Sequence, residues 1–180
     1  MCSTKDGFLI LSEVFGMGLD IRVNVTVAQV RDNLSELDNE LQQMEALRIM
    51  QNMDDDETIV TEPGSYHGLH VVREVYAELR EWPEYSTALP FNEAHSSSHL
   101  MNHSDCDGWY LPERFDTPQW IIGPDEKYSI SVGSSYKLLE ELTSMLASKD
   151  KWPESLHWRW DAVFIAAVAS VVCHCPIEFS

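Results

Sequence analysis

The segment His103-Ser104-Asp105-Cys106-Asp107-Gly108 places an imidazole, two carboxylates and a thiol within five positions, followed by a glycine that permits a tight turn. Asp105 and Asp107, two apart, would in an extended loop point the same way and could hold one divalent metal ion through oxygen, with His103 as a further ligand. The same residues fit a small hydrolase, His103 serving as general base or ligand and Cys106 as an added candidate. The pattern falls short of an EF-hand loop in ligand number and lacks its terminal Glu. The competing and plainer expectation is a structural loop, in which Ser104 and Asp105 bond backbone amides and Gly108 makes the turn.

Other clusters are weaker. His95, His99 and His103 are spaced by four, which on a helix would align them for zinc. The Ser-Ser-Ser between them makes poor helix, so a surface loop is expected. Cys173-His174-Cys175 on a strand would turn its thiols to one side and its imidazole to the other, so the three could not chelate one ion. Gly64-Ser65-Tyr66-His67-Gly68 sits at a helix start, where free amides attract an anion or a carboxylate such as Asp105. No phosphate-loop lysine accompanies it, and no Gly-x-Ser-x-Gly supports a serine triad.

The elements that must position these residues follow from periodicity. Leu19, Ile21, Val23 and Val25 alternate with polar residues, which predicts a half-buried strand, and Thr26 is suited to cap a helix after it. Val27, Val30, Leu34, Leu37, Leu41 and Met44 keep a three-four spacing that predicts one helix over 27–50 with a narrow seam. Such a seam needs a partner, either another helix of this chain or a second copy, and the second case is a homodimer through helix 27–50. Short strands are expected at 58–61, 109–111 and 120–122, and helices at 65–82, 136–148 and 153–172. A loop is expected at 83–107 and a closing strand at 173–179. The fold class is therefore α+β: residues 1–16 as an extension, and 17–180 as one domain of about four helices on a small mixed sheet that includes the C-terminal strand.

Bulk charge limits the function classes. Thirty acidic residues face twelve basic ones in 180, a net charge of −18. Phosphate neutralisation needs clustered Lys and Arg, so neither nucleic acid nor an anionic membrane is an expected partner. Mimicry of nucleic acid, or a basic protein partner, is what such acidity suits, beyond the solubility that charge confers. No secretory signal and no membrane-spanning window are read, Ala162–Cys173 being too short. The four cysteines are expected as reduced thiols in the cytoplasm.

Three short elements resemble a loose group of small bacterial and prophage proteins: Met17-Gly18-Leu19-Asp20-Ile21, the Gly64–Gly68 element with Arg73 downstream, and His103–Gly108. The resemblance covers most of 17–180 and brings no activity with it. It implies that Tyr66, Arg73, His103, Asp105 and Asp107 act together in space. On that basis the 103–108 loop is expected to lie across the start of the helix capped by Ser65, with Asp107 paired to Arg73. Ser65, Tyr66 and Arg73 are thus the candidate binding residues. The expected function is a non-enzymatic acidic interaction protein without a cofactor, of immunity, inhibitor or regulator type and of phage or mobile-element kind. The alternative is the hydrolase or metal-dependent enzyme centred on His103, Asp105 and Asp107.

Overall fold

The first strand, β1 (Ile21–Thr26), buries Ile21, Val23 and Val25 and turns Arg22 and Asn24 to solvent. Alternation with period two therefore sets one covered and one open sheet face. The computed structural model describes residues 19–64, 66–82, 97–103, 108–122 and 129–179, without the side chains of Tyr66 and His67. The expected extension 1–16, Ser65, Asp105, Cys106 and Asp107 lie outside the described residues.

Thr26 caps α1 (Val27–Asn33) through a reciprocal capping box with Gln29. A 3-10 turn over Leu34–Glu36 comes next, then α2 (Glu40–Met50), capped by Asn39. After these come β2 (Thr58–Thr61), α3 (Tyr66–Leu79), β3 (Gly108–Leu111), β4 (Gln119–Ile122) and β5 (Ser129–Ser134). Ser134 caps α4 (Ser135–Met145) by accepting from the Lys137 amide, and a 3-10 stretch leads to α5 (Glu154–Cys173) and β6 (Ile177–Phe179). The strand order is β2-β1-β6-β3-β5-β4. Among the described residues only β3 and β5 pair in parallel, so the sheet is mixed, and β6 joins the C-terminal part of the chain to β1. The fold is α+β, five α-helices packed on a six-stranded sheet among the described residues.

α5 is the centre of the core. Its residues Ala162 to Val172 are all buried, and it packs on β1, β2 and β6 and against all four other helices. From the sequence, no segment was expected to be long enough to span a bilayer. This helix is 20 residues long and apolar enough to cross a membrane by length and composition alone, but most of it is covered by the protein itself.

Three expectations are corrected. The helix predicted over 27–50 is two helices. Leu37 is extended, the Asn33 side-chain amide bonds the Gln29 carbonyl in the last turn of the first helix, and Asn39 accepts from the Leu41 amide to start the second. Val27, Val30, Leu34 and Leu37 anchor the core, whereas Leu41 and Met44 face solvent, so the continuous seam that a homodimer would have used does not exist. The closing strand begins at Ile177, because α5 runs to Cys173 and His174 ends it in the left-handed region at φ 52°. Strand β5 was not expected; it pairs with both β3 and β4.

The split gives a direct test. Leu34→Glu places a charge in the core and is expected to cost about 3–5 kcal/mol, as large core truncations and buried charges do. Leu41→Glu, on the open face of α2, should stay within about 0.5 kcal/mol. Denaturant midpoints compare them; equal effects would restore the continuous helix.

Candidate functional site

The Arg73 side chain meets the backbone of His103. Arg73 lies in the middle of α3, 4% exposed. Its Nε donates to the Leu100 carbonyl at 2.7 Å and its Nη2 to the His103 carbonyl at 2.7 Å. One planar guanidinium thereby fastens residues 100–103 to α3, a fork geometry that an ammonium cannot reproduce. The expected Asp107 partner lies outside the described residues.

The imidazole of His103 is 5% exposed. It stacks on Tyr110 at 4.2 Å between ring centres and tilts against Phe179 at 4.8 Å. Its Nε2 faces the Trp109 carbonyl at 3.3 Å, so that nitrogen carries the proton in any bond made there. His99 is fully buried, and its Nδ1 accepts from the Ser134 amide at 2.8 Å. Burial lowers the His99 pKa, offset in part by the Phe115 and Asp116 backbone. The two histidines therefore serve different neighbours. Among the described residues no three His, Cys, Asp or Glu side chains converge on one point. Cys173 and Cys175 carry free thiols, partly buried against the core at the end of α5 and in the connection to β6, rather than together on a strand.

Glu141 was missed by sequence reasoning. It sits at the edge of the apolar arc of α4 formed by Leu138, Leu142 and Met145, a place where an acid is a signal. Its carboxylate accepts from the His99 amide at 3.0 Å and the Leu100 amide at 2.7 Å. Burial raises its pKa to about 7 despite those two amides. The folded-state pKa is thus above the ordinary value. The stability tied to the proton is complete below about 4.5 and is lost as pH rises through 7. Glu141→Gln should therefore gain on the native protein by roughly 2–3 kcal/mol between about pH 5 and 8. Unfolding of both proteins across that range reads it; a constant gap would show that the carboxyl titrates normally.

The second assembly is the acidic surface. Between residues 32 and 57 there are nine acidic residues and one basic residue, Arg48. Arg48 is committed to Glu45 and Asp161, and Lys149 joins the same pair, tying α2 to the core helix α5. Burial pushes the Glu45 carboxyl up, but Arg48 and Lys149 outweigh it and hold it below the usual range. Asp32, Asp38, Glu40, Asp54, Asp56 and Glu57 are all exposed, and no described cation forms a salt bridge with any of them.

The turn Asp54–Glu57 is held from within. The amides of Val27 and Ala28, at the start of α1, donate to the Glu57 and Asp55 carbonyls at 2.9 and 3.0 Å. Arg31 donates to the Met50 and Met53 carbonyls at 2.6 and 3.3 Å and pairs with Asp55. The backbone of the turn thus sits against the start of α1, its carbonyls satisfying two amides that the helix leaves free.

A family model described as "Putative DNA-mimic protein" matches residues 17–179 of the chain. No curated protein and no solved structure matches it.

Proposed function

We propose, from the premise that this chain belongs to the DNA-mimic family, that it presents its carboxylate surface to the DNA-binding site of a basic protein and competes there with DNA. The observation that supports this reading most is the set of exposed carboxylates over 32–57 that have no cation of their own, while Arg31, Arg48 and Lys149 are used in internal pairs. Duplex DNA carries one negative charge per about 1.7 Å of axis, and its binders neutralise it with Lys and Arg. A fixed array of free carboxylates attracts the same cations. Because Arg31 and the α1 amides already order the turn at 54–57, little ordering is left to be done on binding.

On this reading the protein acts without catalysis and without a cofactor, as an inhibitor or regulator of a cytoplasmic DNA-binding protein of phage or mobile-element context. Arg73 and His103 then belong to the frame that shapes the molecule, not to a reacting centre. The test is capture from host lysate on the immobilised chain, followed by elution with a short duplex. Proteins released by duplex DNA but not by a neutral polymer are the expected result. If nothing is released by DNA that the neutral polymer leaves bound, the reading fails.

A further inference from the structure

We infer that the outward face of α2, carrying Leu41, Met44 and Leu47, is the apolar centre of the surface that meets the basic partner; the inference rests on the function proposed for the acidic surface and deepens it. These three residues are 49%, 68% and 51% exposed. Their spacing by three puts them side by side on one face of the helix. The opposite face buries Gln42, Ala46 and Met50. A lone exposed Leu needs no explanation, but three large apolar residues on one short helix form a contiguous patch, and such patches mark binding sites.

The helix is also held rigidly from behind. Gln42 donates to Thr143 on α4 at 2.8 Å, and Arg48 and Glu45 are locked to Asp161 and Lys149. The apolar face therefore cannot roll into the core, because that would break the ion pairs that fix it. Its exposure is built into the fold.

Charge selects the occupant. Asp38 and Glu40 stand at the beginning of α2, and Asp54, Asp56 and Glu57 lie just beyond its end. The helix between them is about 16 Å long at about 1.5 Å per residue. A second copy of this chain would bring the same acids against each other, which like-charge repulsion opposes. A basic surface with an apolar ridge is complementary. DNA-binding helices have that character: they lie in a major groove about 12 Å wide, place Lys and Arg toward its phosphates and touch thymine methyls with apolar side chains. An apolar helix face with carboxylates before and after the helix offers such a partner both kinds of contact.

The test uses two defined probes of equal positive charge: oligolysine, and an amphipathic helical peptide of lysine and leucine. The native protein is expected to bind the amphipathic peptide about tenfold more tightly than oligolysine, the gain from burying a few apolar side chains. That preference should persist at high salt, where exposed ion pairs are screened. Leu41→Ser with Met44→Ser and Leu47→Ser should abolish the preference and leave oligolysine binding unchanged, with a single cooperative unfolding transition showing that the variant is folded. A variant that keeps the preference, or a native protein that lacks it, overturns the inference while the acidic reading stands. Sedimentation showing a native dimer that the triple variant loses would assign the face to self-association and overturn it too. If oligolysine fails to bind even at low salt, the proposed function itself falls, and the inference with it.

Discussion

Arg73→Ala is expected to lower the unfolding free energy by about 3–5 kcal/mol, the range for breaking a buried charged hydrogen-bond set. The side chain supplies donors to two buried carbonyls, those of Leu100 and His103. The loss should be local before it is global. Residues 99–103 carry the amides that hold Glu141 and the His99 carbonyl that accepts from the Tyr110 hydroxyl at 2.9 Å. Amide exchange at 99–103 should therefore accelerate first. Arg73→Lys should recover only part of the stability, because one ammonium on a shorter stem cannot serve both carbonyls in the same plane. Denaturant unfolding of the three proteins checks this; an Arg73→Ala midpoint close to the native one would mean that residues 100–103 are fastened by something else.

Gly68→Ala is expected to destabilise by roughly 2–4 kcal/mol. The sign is informative. Gly68 lies within α3, where replacing glycine by alanine ordinarily stabilises by about 1 kcal/mol. Here an added methyl would overlap the Pro63 carbonyl oxygen and crowd Arg159 Nε at 3.2 Å. The chain entering α3 folds so closely over its first turn that only hydrogen fits. A stabilised Gly68→Ala protein, measured by thermal or denaturant unfolding, would refute that close approach.

These two residues also show what could be read in the sequence. The elements around Gly64–Gly68 and His103–Gly108 stood out by composition, and they are unusual places in the fold. Gly108 has φ 124°, and a side chain there would meet the Ser131 carbonyl at 2.5 Å. The chemistry suggested by their residue types is a separate matter: the described parts of both elements pack, and His103 lies beneath Tyr110 and Phe179. The strand at 21–26 and the cap at Thr26 were legible because alternation and capping residues are local signals.

What was hidden depends on tertiary partners. The three-four spacing runs unbroken through 34–39, yet Leu34 and Leu37 turn inward and Leu41 outward, a change that spacing alone cannot report. Strand β5 escaped notice because Ser131 and Ser134 look polar, although both are fully buried and Ile130 and Val132 do alternate. The charge of the chain was plain from composition. Its excess at 32–57, nine acids to one base, is less plain, because only Asp54–Glu57 forms an unbroken run.

The most direct measurement is displacement. A labelled duplex is bound to the DNA-binding protein recovered by DNA elution, and this chain is titrated in. Stoichiometric release of the duplex is predicted, weakening as ionic strength rises. Release should also weaken when Asp54, Asp56 and Glu57 are changed to their amides. A duplex that stays bound while the chain binds beside it would contradict the account.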